Sequence, residues 1–505
     1  MSFAIIHTRA RVGIHAPAVT VETHLSGGLP SLSIVGMPET AVRESKDRVR
    51  SALLNAGFDF PARRITINLA PADLPKEGSR FDLPIALGIL TASGQVEPAS
   101  VEHMEFLGEL ALDGHLRPLK GVLPAVLAAR QAGRTIMVPS ANQQEAALAS
   151  RDDAYAAEHL LAVCAHLRRE ERLSPVPSQL PDEAAARIEG DLAEVQGQHV
   201  PKRALEIAAA GRHNLLFHGP PGTGKSMLAT RLPGILPPLG DEAALEVASV
   251  HSVAGQALDQ ARWRQPPYRA PHHTASAVAL VGGGSSPRPG EISLAHNGVL
   301  FLDELSEFDR KVLEVLREPM ESGEIVISRA ANQVTYPARF QVVGAMNPCP
   351  CGYQGHPSIA CQCSPQQILK YQNRLSGPLL DRFDMHVAVP VQEGHRLIRP
   401  QQGEVESADV RERVLACRQR QAERGELNAT LSGQALHRAC ALDAAGEQVL
   451  EQAMEKLGLS ARALHRILRV ARTIADLAGD PTVTKVHLVE ALGYRSLDRR
   501  QAQSA

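Results

Sequence analysis

The sequence predicts an α/β protein whose central domain is built on a P-loop, preceded by a second α/β domain and followed by an all-α one. Three observations carry this expectation. The apolar strand Leu215-Leu216-Phe217 runs into a glycine-rich loop that opens a helix. A second apolar strand, Val299-Leu300-Phe301-Leu302, ends in the acidic pair Asp303-Glu304. From about residue 432 onward, apolar residues recur at helical spacing with no convincing strand.

With 505 residues the chain is too long for one hydrophobic core, and about 150 residues per domain suggests roughly three. Residues 1–167 mix strand-like runs such as ITINLA and TIMVPS with helical ones such as AVRESKDRVRSALLNAG and LPAVLAARQAG, which reads as a self-contained α/β or α+β domain. Residues 168–190 carry prolines and charges without an apolar period and read as a linker. The P-loop core spans 191–395. A polar helical connection and the helical lid fill 396–505.

Composition narrows the function classes. The 53 basic and 55 acidic residues leave a net charge of −2, so no global field draws the protein to nucleic acid or membrane, and any such affinity must be local. The first residues lack the apolar run of a signal peptide and no stretch of about 18 apolar residues appears, which predicts a cytoplasmic protein with no membrane partner.

Gly219-Pro220-Pro221-Gly222-Thr223-Gly224-Lys225-Ser226 satisfies the eight-residue P-loop pattern in the right context, strand before and helix after. The glycines let backbone N–H groups turn inward around phosphates, and the helix N-terminus adds positive potential. Lys225 is expected to reach the β and γ oxygens of ATP, and Ser226 to ligate Mg²⁺. Asp303 is expected to hold the magnesium through water, and Glu304 to orient and polarise the attacking water. A third strand, residues 340–346, delivers Asn347 to the same sheet edge, where its amide can hold the lytic water or sense the γ-phosphate.

Four of the seven cysteines crowd into Cys349-Pro350-Cys351 and Cys361-Gln362-Cys363. Two C-x-C pairs separated by nine residues can close on one ion, and four thiolates suit a tetrahedral structural Zn²⁺. Four reduced, unliganded loop thiols are the alternative. Cys164, Cys417 and Cys440 read as reduced core thiols.

Beyond these motifs the sequence resembles the AAA+ ATPases of the magnesium-chelatase and MCM branch, and within it the ComM/YifB competence-protein family. The resemblance covers nearly the whole chain. It is carried by Arg269-Ala270-Pro271-His272-His273-Thr274-Ala275-Ser276, by FLDELSEFDRKVLEVLREPMESGEIVISRA, by the NPCPCGY segment at Asn347, and by SGPLLDRFD at residues 376–384.

The resemblance implies a homo-hexameric ring in which Arg382 of LLDRF is the arginine finger entering a neighbour's ATP site and Arg462 takes the sensor position on the lid; Arg374 is a weaker finger candidate. It also implies ATP-driven movement along single-stranded and branched DNA, with branch migration during natural transformation. Two pore-facing inserts would carry the DNA contacts: residues 262–284 with Arg262, Arg264, Arg269, His272 and His273, and a hairpin entered at Gly323 with Arg329 and Arg339. A protein-remodelling ATPase is the competing reading. A metal-chelatase motor subunit is another, although the chain has no D-x-S-x-S metal-adhesion motif and would need a separate partner for that role.

The N-terminal domain resembles the Lon-type protease fold at ADLPKEGSRFDLPIALGIL and GELALDGHLRPLKGVLPAVLAARQAG. Aligned on that pattern, Arg80 stands where the nucleophilic serine belongs and Leu123 where the lysine belongs, which predicts no peptidase activity. Only a shifted register could enlist Ser79 and Lys120.

Overall fold

The computed structural model describes residues 2–178, 190–284, 287–328, 333–392, 404–495 and 497. Its N-terminal domain is a seven-stranded mixed sheet in the order Ser31–Val35, Arg64–Ala70, Ala18–Ser26, Phe3–Arg9, Met104–Phe106, Thr135–Pro139, Ala154–Ala157. The runs ITINLA and TIMVPS thus lie in strands. The helix Asp82–Ala92 is apolar around its whole circumference and every residue of it is buried, as such a helix requires. Asp82 at its start is anchored by Arg48, whose Nε and Nη2 donate across 2.8 and 3.0 Å. The first residues of the expected linker pack along this domain: Val176 is buried and its carbonyl accepts from Ser150 Oγ at 2.8 Å.

The central domain carries the α/β P-loop core expected from the sequence. Five parallel strands lie in the order Tyr268–Arg269, Val299–Leu302, Gln341–Met346, Leu215–His218, Met385–Ala388. The first strand in the chain, Leu215–His218, lies between the two last, so the connections diverge beside it. In open parallel sheets such a switch point, at the carboxyl ends of the strands, is where ligands bind. All residues of Leu215–His218, Val299–Leu302 and Gln341–Met346 are buried, which explains their unbroken apolar runs.

From residue 404 on, the described chain is helical: Ser407–Arg424, Gly433–Ala439, Ala444–Leu457, Ala461–Ala478 and Lys485–Gly493. The Ser407–Arg424 helix packs on His199–Gly211 and caps its carbonyl end, with Arg418 Nη2 donating to Ala209 O at 2.7 Å and Gln421 Nε2 to Ala210 O at 2.8 Å. Lid and P-loop domain share one apolar core, which includes Leu205, Leu228, Val414 and Ile467. The N-terminal domain sits on the helix Asp241–Ala254 through Gly121 N–H to Ser252 O, 3.1 Å, and Ser252 Oγ to Glu145 Oε1. Among the described residues no helix is long and apolar enough to cross a membrane.

Candidate nucleotide site and cysteine cluster

The loop Gly219–Gly224 leaves its strand where no side chain fits. A Cβ on Gly219 would lie 2.3 Å from Val389 O, while Gly222 and Gly224 take φ of 75° and 88°, the left-handed region that disfavours a side chain. Gln198 braces the loop from below, its Nε2 donating to Thr223 O at 3.1 Å and Pro390 O at 2.8 Å. The helix Lys225–Ile235 follows, so its unpaired N–H groups and positive dipole end face the loop.

Four of the expected groups converge here. Lys225 Nζ donates to Gly219 O at 2.8 Å, Pro220 O at 2.7 Å and Asn347 Oδ1 at 3.2 Å. Ser226 Oγ donates to Asp303 Oδ2 at 2.7 Å. Burial lowers the Lys225 ammonium to about 8, against the opposite pull of the Asp303 and Glu304 carboxylates. The three donors of the ammonium are spent on neutral oxygens, and a triphosphate would give it anionic partners. Hydroxyl and carboxylate side by side form an oxygen donor set suited to hydrated Mg²⁺.

Glu304 follows Asp303 with φ 48° and ψ 47°, left-handed backbone that costs a residue with a side chain of order 1 kcal/mol or more. Its N–H donates to Asp303 Oδ1 at 2.9 Å. That carboxylate lies 3.2 Å from His273 Nδ1.

The arginines expected at the site stand apart from this cluster. Arg382 is buried, with Nη2 2.6 Å from Glu321, Nε donating to Arg317 O at 3.1 Å and Nη1 to Pro378 O at 2.6 Å. Arg374 bonds Ser306 O at 2.9 Å and Glu307 at 3.0 Å. Arg462 is exposed in the first turn of Ala461–Ala478, and one turn later Arg466 pairs with Asp384 at 3.0 Å.

The residues expected to touch DNA are paired within the chain wherever they are described. Arg262 lies 3.5 Å from Asp259, Arg264 bonds Asp241, Arg269 bonds Glu291 at 2.7 Å and Arg339 bonds Glu246 at 2.6 Å. His272 Nδ1 meets Thr274 Oγ1 at 2.9 Å. The expected hairpin is present as Glu324–Ser328 against Gln333–Pro337, entered at Gly323 with φ 72°. Arg329 lies outside the described residues.

The four clustered cysteines come together. Sγ–Sγ distances are 3.4 Å for Cys349–Cys351, 3.6 Å for Cys349–Cys361 and 3.5 Å for Cys351–Cys361, and all four Sγ atoms including that of Cys363 lie within 4.8 Å of one another. A tetrahedron of sulfurs about 2.3 Å from a central zinc has edges of about 3.8 Å, close to these values. Backbone N–H groups of Cys351 and Gln354 donate to Cys363 and Cys349 Sγ, both at 3.4 Å, as suits thiolates. The donor set fits zinc. The other three cysteines are free and buried. The cluster also touches the nucleotide loop: a Cβ on Gly352, at φ 83°, would meet Pro221 Cδ at 2.7 Å.

Sequence reasoning missed Gln198, the Gly352–Pro221 contact and the partnership of His273 with Glu304. None has a local signature.

In the N-terminal domain Arg80 is buried, its Nη2 donating to Lys120 O at 2.6 Å. Leu123 is also buried, and Ser79 Oγ donates to Glu109. The Lys120 side chain packs against Gly255 of the P-loop domain, where a Cβ would meet its Cε at 2.6 Å.

Comparison with known proteins accords with this architecture along the chain. The family described as magnesium chelatase, subunit ChlI, matches residues 191–397; the subunit ChlI of Mg-chelatase description matches 21–142, and the subunit ChlI C-terminal description matches 404–495. The competence protein ComM of Haemophilus influenzae is 54% identical over 505 residues, covering 99% of this chain and 98% of the relative. The YifB proteins of Salmonella typhimurium and Escherichia coli are 51% and 50% identical, each covering 99% of this chain and 98% of the relative. Full-length identity of this order, over a magnesium-chelatase type of AAA+ core, makes the chain a member of the ComM/YifB family.

Proposed function

We propose that this chain hydrolyses ATP with Mg²⁺ and uses the energy to move along DNA, promoting branch migration when incoming strands are integrated during natural transformation. The observation that carries the ATPase reading is the convergence of Lys225, the Ser226–Asp303 pair and Asn347 at one sheet edge. The step to DNA is supported by the name of the Haemophilus relative, a competence protein.

In this reading the backbone N–H groups of residues 222–224 and of the helix start at Lys225 cradle the phosphates. Lys225 exchanges its loop carbonyls for β and γ oxygens, and Asn347 is left to hold the lytic water. Ser226 and Asp303 would hold a magnesium ion, whose charge would help neutralise the phosphates. Glu304 orients the water and receives its proton.

Arg382 acts on the neighbouring subunit of a hexamer, exchanging Glu321 for the developing phosphoryl charge, an effect of about 10³ or more in rate. Arg462 serves the same charge from the lid. Cys349, Cys351, Cys361 and Cys363 hold a structural zinc that stiffens the turn packed on Pro221. Arg262, Arg264, Arg269, His272, His273, Arg329 and Arg339 serve DNA phosphates, and those described exchange internal partners to do so.

The test is ATP hydrolysis by the purified chain with single-stranded, duplex and four-way-junction DNA, with Lys225→Ala and Glu304→Gln as controls. Stimulation greatest with branched DNA supports the proposal. Equal rates with and without every DNA, together with stimulation by a protein client, would establish the protein-remodelling reading instead.

A further inference from the structure

A cavity of about 890 Å³ opens where three parts of the fold meet. Leu148 reaches it from the N-terminal domain, Pro233 and Gly234 from the carboxyl end of the helix Lys225–Ile235, and Arg411 and Leu415 from the helix Ser407–Arg424. Its size lies in the range of small-molecule pockets, about 300–1,000 Å³. No residue of 219–226 lines it, nor do Asp303 and Asn347, so it is separate from the cluster around Lys225.

The wall combines flat rings with unmet polar atoms. Trp263, the chain's one tryptophan, and Tyr268 both line the cavity. The Trp263 Nε1 and the Tyr268 hydroxyl are buried and have no hydrogen-bond partner among the described residues. Burial also raises the Tyr268 phenol, which therefore keeps its proton and can donate as well as accept. Each such atom carries a desolvation cost that a ligand with acceptor atoms would remove. Arg264, directly after Trp263, takes φ 62°, left-handed backbone of the kind that collects at ligand clamps.

The charge of the wall is one-sided. Five arginines line the cavity against a single carboxylate, Asp259. Arg231, Arg262, Arg264 and Arg269 each have a carboxylate partner. Arg411 makes no hydrogen bond or ion pair among the described residues. A guanidinium fork without a carboxylate is a ready partner for the oxygens of an incoming anion.

We infer that this cavity is a binding site for a small organic anion with a flat ring system, whose rings lie against Trp263 and whose anionic group meets Arg411. Its acceptor atoms complete the Trp263 and Tyr268 groups. The occupant touches the N-terminal domain, the P-loop helix and the Ser407–Arg424 helix at once, so it ties the three together and stabilises the fold by mass action. The inference does not depend on the reading of DNA as a partner.

The experiment uses the full chain, with ADP and Mg²⁺ present throughout to occupy the P-loop. The probe is anilinonaphthalene sulfonate, a flat aromatic anion that emits when shielded from water. Titration should saturate at one molecule per chain with Kd of about 10–100 μM. Energy absorbed by Trp263 should pass to the bound probe, and Trp263→Phe should abolish that transfer while directly excited emission remains. The probe should also raise the melting temperature.

Arg411→Glu should weaken binding by about tenfold or more, the range for a lost charge-assisted hydrogen bond, and should cancel the thermal shift. Val247→Phe, which fills the cavity from the helix Asp241–Ala254, should remove binding. Arg411 is only partly buried and bonds to nothing described, so its variant decides the matter if Val247→Phe does not fold. Equal affinity in the wild type, Arg411→Glu and Val247→Phe, or probe emission without transfer from Trp263, overturns the inference.

Discussion

The protein contains two places where a lysine, a serine and acidic groups lie close in sequence or space, and they have opposite characters. At the nucleotide loop, Lys225, Ser226, Asp303 and Asn347 point at one another, and their bonds are to groups that a phosphate or a metal could replace. In the N-terminal domain, Arg80 reaches the Lys120 carbonyl, Ser79 is held by Glu109, and Lys120 lies along Gly255 of the neighbouring domain. In the first the polar groups converge on one another; in the second each is spent on a separate partner, and Lys120 serves domain packing. Proximity of reactive residue types is therefore insufficient; what matters is whether their polar atoms converge on space a ligand can enter.

The largest contrast is expected from Lys225→Ala, which should abolish hydrolysis and weaken ATP binding severely, as read by a fluorescent nucleotide. Retention of tight binding would mean that the loop alone carries the affinity. Next, Glu304→Gln should lower kcat by about 10² to 10³ while ATP remains bound, the range expected when a positioned base is lost. A matching loss of affinity would place Glu304 in binding instead.

Metal analysis should find one zinc per chain, and Cys361→Ser should release it and lower the melting temperature together with the ATPase rate, because the Gly352 turn packs on Pro221. A zinc-free protein with full activity would break the link between cluster and loop.

A smaller effect concerns pH. Burial brings free Lys225 to about 8 from an ordinary 10.5, whereas a bound triphosphate favours the ammonium. Above pH 8 binding must therefore take up a proton, and ATP affinity should fall as pH rises toward about 10.5, by at most tenfold per unit. Titration of affinity at constant ionic strength would show this slope, and a flat profile would contradict the burial-lowered ammonium.

The smallest effect is expected at the N-terminal cluster. Arg80 is buried with Nη1 lacking a partner, and burial lowers its guanidinium to about 9, with Arg11 adding to the shift. Arg80→Met should leave ATP hydrolysis within about twofold and stability unchanged or slightly higher, since exchanging a poorly compensated buried charge for an apolar side chain is often neutral or favourable. A large drop in melting temperature would show instead that the bond to the Lys120 carbonyl holds the domain interface.

Much of the nucleotide site was legible because it is written in local pattern. Glycines at 219, 222 and 224 answer a backbone that closes on Val389 and twice turns left-handed, and a buried parallel strand demands the apolar run before Asp303. The cysteine cluster was legible for the same reason, since two short pairs nine residues apart can fold back on themselves. The arginines were not. Nothing local distinguishes Arg382, tied to Glu321 and two carbonyls, from Arg462, exposed on its helix, or from Arg466, paired with Asp384. The basic insert likewise reads as free charge along the chain, while the fold supplies each described member with a partner.

By itself the sequence determined the α/β core with its P-loop, the acidic strand end, the helical C-terminal part and the grouping of the cysteines, because each depends on steric and hydrophobic periodicity within a few residues. Tertiary structure alone decided that His273 meets Glu304, that Gly352 leans on Pro221, that Gln198 braces the loop and that Lys120 serves an interface. Those contacts depend on which strands become neighbours and in what register. That choice is made by burial summed over the whole sheet, which no short stretch of residues records.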